Sequence, residues 1–303
     1  MRLLVLNEHD VEELLTMEEC IAAMEDALAA LARGDVHNPL RQAIRAPGAP
    51  GLLGLMPAYR APYYALKEVC VFPENPKRGL DTHLGAVILH SGENGAPLAI
   101  MNASAITAIR TAAVSAVATK LLAREDASVL AILGTGVQAK SHQRAIPLVR
   151  NIKEIRMCGR GGNAEEAVRG ADIIVTATNS REPILKREWI RPGTHINAVG
   201  SSIAAARELD GATVAAASLF VDRRESTVNE SGDYLFALRE GAISETHIKA
   251  ELGDILTGAA EGRTSPGEIT LFKSLGLAVE DLASAALLFG KAQQVGRGTW
   301  VEF

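Results

Sequence analysis

The sequence predicts an α/β protein of two domains, and three observations carry that prediction. Its 303 residues exceed what one hydrophobic core organises efficiently. From Ser128 onward, short apolar runs alternate with helical stretches, the rhythm of βαβ units on a parallel sheet. Ahead of Ser128 the chain differs: a capped helix is followed by Pro- and Gly-rich strand candidates joined by turns.

Composition narrows the class further. Hydrophobic residues at 48% suit a packed globular chain, and aromatics at 4% leave the core to Ala, Leu, Val and Ile. A net charge of -5 gives no footprint for nucleic acid or a membrane surface. Cys20, Cys70 and Cys158 are widely spaced, odd in number and without metal-ligand spacing, which points to a reducing, cytoplasmic setting. The start of the sequence has no basic flank before an apolar run and reads as lacking a signal peptide. The longest apolar stretch, 96–123, is broken by Arg110 and Lys120 and reads as a buried helix.

The elements follow in order. Thr16-x-x-Glu19 has the form of a capping box, and apolar positions recur at helical spacing to Leu31 before Gly34-Asp35 ends the helix. Leu52–Met56, Ala65–Phe72 and Gly85–His90 are strand candidates, and Gly92-Glu93-Asn94-Gly95 is a hairpin turn. A helix over Ser104–Leu122 closes this region. Val129–Leu133, Glu154–Cys158, Asp172–Ala177, His195–Val199 and Leu219–Asp222 are the parallel strands. A long helix over Leu277–Val295 precedes a last strand, Thr299–Phe303, which can return to the first domain and make it discontinuous.

The first parallel strand runs into Gly134-Thr135-Gly136-Val137-Gln138-Ala139, a glycine turn that opens a helix. Gly134 permits the tight turn, Gly136 lets the backbone approach a pyrophosphate, and Ala139 allows close helix–strand packing. The pyrophosphate then rests on N–H groups at the helix N-terminus. This is the Rossmann fingerprint in its confirming context of strand, turn and helix, and it implies NAD(P). After the second strand, Arg160 stands where an acid would hold the ribose of NAD, which favours NADP(H) with NAD(H) still possible. Only about a dozen residues then separate Cys158 from Asp172. Either the third, outer strand of the sheet is absent or a segment is missing from this sequence.

Several stretches together resemble the ornithine cyclodeaminase/mu-crystallin family. They are Gly54-Leu-Met56-Pro57-Ala-Tyr59, Lys67, Ile109-Arg110-Thr111-Ala112-Ala113, Gly134-Thr-Gly136-Val-Gln138, His195-Ile-Asn197-Ala-Val-Gly200 and Phe272-Lys-Ser274-Leu-Gly276-Leu-Ala-Val-Glu280-Asp281. The resemblance implies a homodimer with an α+β substrate-binding and dimerisation domain, 1–122 with 286–303, and a Rossmann domain, 123–285. It also implies site residues. Arg41, fifteen residues before the Met of the Met-Pro motif and distinct from Arg45, joins Lys67 and Arg110 as a cationic cluster for an α-carboxylate. Thr82 and His83 line the same pocket, Lys67 is the candidate catalytic group near the substrate nitrogen, and Thr111, Ser274 and Leu275 belong to the cofactor site.

One departure matters. Ornithine cyclodeaminases carry an Asp two residues after the Gly of Asn-Ala-Val-Gly, whereas this chain reads Gly200-Ser201-Ser202. A serine hydroxyl cannot take a proton from an ammonium near neutral pH without a base beside it. The expectation is therefore an NAD(P)H-dependent reductase of small cyclic α-imino acids, as in the ketimine reductase-like members. Alternatives are alanine dehydrogenase-like reductive amination of 2-oxo acids, ornithine cyclodeamination, and a non-catalytic NADPH-binding, crystallin-like role.

Overall fold

The computed structural model describes residues 2–303, apart from the side chain of Pro76. The chain divides into two compact units, one running to Arg110 and resuming at Leu277–Phe303, the other Thr111–Gly276.

The first unit begins with β1 (Arg2–Leu6), α1 (Glu8–Leu14) and α2 (Met17–Ala32), then β2 (Gln42–Ile44), β3 (Leu52–Arg60), β4 (Tyr63–Val71), β5 (His83–Ser91) and β6 (Pro97–Asn102). These strands and the chain's last one form a seven-stranded sheet. Alternation decides which side chains meet the helices. Met56, Ala58, Ala65, Lys67, Val87, Leu89, Ala99 and Met101 are buried on one face. The residues between them, including Leu55, Leu66, Ile88 and Ile100, stay half-buried on the other. Thr16 caps α2 by accepting from the Glu19 N–H, as its capping box predicts.

The helix α3 (Ala103–Leu122) belongs to the first unit through Arg110 and to the second from Thr111 onward. It is long and apolar enough to cross a membrane, yet 72% of that window is buried inside the protein, as befits a core helix.

The second unit continues with β7 (Val129–Leu133), α4 (Val137–Ala145), β8 (Glu154–Cys158), α5 (Ala164–Val168), β9 (Ile173–Thr176), β10 (His195–Ala198), α6 (Gly211–Ala216), β11 (Ser218–Val221), α7 (Arg224–Glu230), α8 (Gly232–Arg239), β12 (Ile248–Glu251), α9 (Leu252–Leu256) and β13 (Thr270–Lys273). Its seven strands are parallel in the order β12-β11-β13-β10-β9-β7-β8. Buried parallel strands read as unbroken apolar runs, and β7 with Ala131 and Leu133 on one side and Leu130 and Ile132 on the other is core on both faces. Among the described residues β8 is the sheet edge, so no third outer strand follows it.

The chain then returns to the first unit through α10 (Ala278–Val295) and β14 (Thr299–Glu302). β14 pairs antiparallel with β1, so the first unit is built from both ends of the chain. The helix α10 packs on α2 and on β3, β4 and β5.

The unit boundaries differ from 122/123 and 285/286, and side-chain bonds explain why. Beyond Arg110, α3 is tied to the parallel-sheet unit: Ser115 Oγ bonds His142 Nε2 at 2.8 Å, and Thr119 Oγ1 accepts from Asn197 Nδ2 at 2.9 Å. The first turn of α10 is tied instead to the other unit, where the Val279 N–H donates to Asn38 Oδ1 at 2.8 Å.

Candidate functional site

In the second unit, the C-terminal ends of the parallel strands carry the glycine turn. Gly134 adopts φ 131, and a Cβ there would lie 2.5 Å from the Ala177 carbonyl oxygen, so only glycine fits. Gly136 is the N-cap of α4 and supplies no side-chain cap, leaving the first N–H groups of the helix without that partner. A Cβ on Gly136 would meet nothing within 4 Å, and Val137 is 61% exposed. An uncapped helix start with open space over its glycine suits a pyrophosphate, whose charge the helix dipole favours. Gln138 follows within α4, and its carbonyl accepts from His142 Nδ1 at 2.7 Å. Burial pushes the His142 pKa down to about 4, so this ring is a neutral structural link.

Thr135 packs against the end of β8, where a Cβ on Gly159 would lie 3.0 Å from Thr135 Cγ2. Arg160 is exposed immediately beyond. Ser274 and Leu275 lie between β13 and α10, whose N-cap is Leu277. The Ser274 N–H donates to the Ala198 carbonyl at 3.0 Å, and the Leu275 N–H to Asp222 Oδ2 at 2.6 Å. Both therefore sit at the same end of the sheet as Gly134. Thr111 is buried on α3.

The sequence reading missed a buried charge cluster that shapes this end. Lys273 Nζ donates to the Gly200 carbonyl at 2.8 Å and pairs with Asp233 at 2.9 Å. Asp233 also accepts the Glu208 and Leu209 N–H groups. Glu208 takes the Thr176 and Thr178 hydroxyls and the Thr178 N–H, each at 2.7 Å. Burial, reinforced by the Asp233 charge, pushes Glu208 up to about 7, against Lys273 and the threonine hydroxyls. The group fixes the segments after β9 and β10. A Cβ on Gly200 would overlap the Thr178 carbonyl, and Ser201 adopts φ 50, its N–H and hydroxyl bonded to the Thr178 and Ser180 carbonyls. Ser202, beside it, is half-buried.

In the first unit, Lys67 on β4 faces the helices and is 3% exposed. Its ammonium donates to Asp281 at 3.0 Å and to Thr107 Oγ1 at 3.3 Å. Arg110 on α3 donates to the same Asp281 at 3.1 Å and to Glu280 at 2.8 Å. The two acids lie in the first turn of α10, where the helix dipole supports their charge. Two of the three expected cations, Lys67 and Arg110, are thus each matched by a buried carboxylate. Unpaired charges at this depth would cost several kcal/mol apiece, on the order stated for buried ions. Burial and the Arg110 charge lower the Lys67 pKa to about 8, against Asp281 and Glu280, which raise it.

Sheet register positions the remaining candidates. Met56 is opposite Lys67 and Gln42 is opposite Leu55, so the residue before β2, Arg41, continues the row of Met56 and Lys67. Two strand spacings separate the Arg41 and Lys67 backbones, about 10 Å, within reach of long side chains. His83 opens β5 at an exposed position; protein packed on its inner side and the Lys67 charge together lower its pKa. Thr82 precedes it, with its carbonyl accepting from the Phe72 N–H at 2.9 Å.

The chain is similar to known proteins over nearly its whole length. The chain is 41% identical over 292 residues to ketimine reductase mu-crystallin of Mus musculus, covering 89% of this chain and 90% of that protein. The structure of Thermococcus litoralis Δ1-pyrroline-2-carboxylate reductase in complex with NADH and L-proline superposes with a TM-score of 0.94 at 41% identity, covering 98% of this chain and 99% of that one. An archaeal alanine dehydrogenase dimer with bound NAD superposes with a TM-score of 0.94 at 34% identity over the whole of both chains. Residues 1–164 and 160–296 match the model of the ornithine cyclodeaminase/mu-crystallin family, and the chain belongs to that family.

Proposed function

We propose that this chain reduces small cyclic α-imino acids, pyrroline- and piperideine-2-carboxylate, with a hydride from NAD(P)H. The observation that carries the proposal is Lys67, a buried ammonium with a pKa near 8, held by Asp281 and Thr107 beside Arg110. A donor with that pKa can give up a proton near neutral pH. The similarity to a pyrroline-2-carboxylate reductase and to a ketimine reductase supports the same reading.

When bound, the dinucleotide supplies the hydride, which forms the new C–H bond at the imine carbon. The chain does the rest. Arg110 and Arg41 hold the carboxylate through their guanidinium forks, and Lys67 provides the proton at nitrogen. The C=N π pair becomes the amine lone pair, and Lys67 regains its proton from solvent. Asp281 keeps the ammonium charged and aimed. Gly134, Gly136 and the start of α4 hold the pyrophosphate, and Arg160 is available to a 2′-phosphate, which supports NADPH as the preferred donor. With Ser202 in place of an acid, the chain lacks the base that cyclodeamination requires.

We also propose a cytoplasmic homodimer. The face of the first sheet that carries Leu55, Leu66, Ile88 and Ile100 is apolar and half-exposed, the kind of surface a second copy covers. In the test of function, purified protein oxidises NADPH or NADH when one of the two cyclic imines is added. Absence of turnover across a panel of imino acids defeats the proposal. Turnover of an open-chain 2-oxo acid that depends on ammonia transfers it to alanine dehydrogenase chemistry, which the similarity to an alanine dehydrogenase keeps in view.

A further inference from the structure

The strand β8 ends in a tight turn. The Gly162 N–H donates to the Gly159 carbonyl at 3.1 Å, and Gly161 adopts φ 83, the pattern of a type II turn with Arg160 at its second position. The turn is folded back closely: a Cβ on Gly162 would lie 2.8 Å from Cys158 Sγ. From it the chain passes straight into α5, capped by Asn163, and on to β9.

Two observations indicate that this turn replaces something larger. Ile155 and Met157 on β8 are 38% and 39% exposed, although they stand in register beside Leu130 and Ile132, which are buried against α4. An apolar face continuous with the core therefore runs out uncovered at the sheet edge, where a doubly wound half would lay its second crossover helix. The match to the family comes in two pieces that meet at 160–164, within this link.

We infer that this protein holds the adenine of its dinucleotide with no protein wall on the β8 side and therefore does not read the purine base. The inference rests on the dinucleotide reading above. The link offers three glycines, Arg160 and Asn163, with no aromatic or branched apolar side chain to cover a purine face. Arg160 can pair with ribose-borne phosphate, but base identity is discriminated only where a site supplies groups that would be left unpaired by the wrong base. A dinucleotide whose adenine amino group is exchanged for a carbonyl loses nothing in such a site.

The test is a fluorescence titration of the protein with NADH and with reduced nicotinamide hypoxanthine dinucleotide, followed by turnover of a cyclic imine with each. The two dissociation constants agree within about threefold, as does kcat/KM, when the base is unread. A hypoxanthine analogue weaker by about tenfold or more, the equivalent of one hydrogen bond to the base, overturns the inference while leaving the proposed reductase intact. Failure of both compounds to bind removes the dinucleotide reading and the inference together. Binding of both without turnover of any imine leaves the base inference supported and counts against the proposed function alone.

Discussion

Asp281→Asn tests the buried pair on which the proposed chemistry depends. The substitution conserves shape, removes one charge, and leaves Lys67 and Arg110 to share Glu280. Two influences lower the Lys67 pKa in the wild type, burial and Arg110, and Asp281 is the first opposing group. Removing an opposite charge at hydrogen-bond distance moves a pKa by about 1–3 units, here downward, from near 8 into the range of about 5–7. The sign for activity follows. In the proposed reaction Lys67 donates a proton, so its active form is the ammonium, and the wild-type rate falls as pH rises through about 8. In D281N the alkaline fall begins at least about one unit lower, and the rate at neutral pH drops accordingly. Breaking a buried pair also costs about 3–5 kcal/mol of stability, read from the denaturant midpoint of the variant. The assay is a pH series of kcat for a cyclic imine, with folding confirmed by circular dichroism at each pH. An alkaline limb of D281N that coincides with the wild type refutes Lys67 as the proton donor.

Three further outcomes follow from the geometry. Gly136→Asp meets no atom within 4 Å at Cβ and supplies α4 with the cap it lacks, so the variant keeps or gains a few tenths of a kcal/mol. Its carboxylate would occupy the position proposed for the phosphate, and NADH affinity measured by titration falls about tenfold or more. Glu208 has a folded pKa raised to about 7, so the folded state binds the extra proton between about 4.5 and 7 and wild-type stability falls as pH rises through that window. Glu208→Gln removes the fall, and its stability relative to wild type, by urea unfolding, rises between pH 5 and pH 8 by an amount on the order of 3 kcal/mol. Leu66→Lys with Ile88→Glu places two charges on registered neighbours of the half-exposed sheet face and yields a monomer by light scattering if that face joins two copies.

Much of the parallel-sheet unit was legible. Val129–Leu133 and Glu154–Cys158 have the predicted bounds, because continuous apolar runs between polar links leave few other readings. The segment 96–123 was harder. The helix read over Ser104–Leu122 is α3 (Ala103–Leu122), but the residues ahead of it form β6 (Pro97–Asn102), which the sequence did not show because so short an apolar run carries no period of its own. The short strands β12 and β13 were also missed, since four buried residues give little pattern. At the site, the glycine turn was legible because its function is backbone conformation, which sequence encodes locally. The partners of Lys67 and Arg110 were not. Glu280 and Asp281 lie some 170 to 214 positions away in sequence, and two acids opening a helix are accounted for by the helix dipole alone. The Lys273–Asp233–Glu208 group was hidden for the same reason: ordinary charged residues on separate elements acquire meaning only through burial.

The two acids also bear on the choice among substrates. A pair of cations alone would attract any α-carboxylate, whether its neighbouring group were a ketone or an imine. Asp281 and Glu280 offset the charges of Lys67 and Arg110, and Asp281 opposes the influences that lower the Lys67 pKa, so the site keeps an ammonium at this position. A neutral imine nitrogen is basic enough to take the proton of that ammonium as its carbon accepts hydride. A 2-oxo acid offers the same ammonium only a carbonyl oxygen, which is far less basic than an imine nitrogen. On this reading the cations make the site bind an α-carboxylate, and the carboxylates from α10 make it prefer an imine.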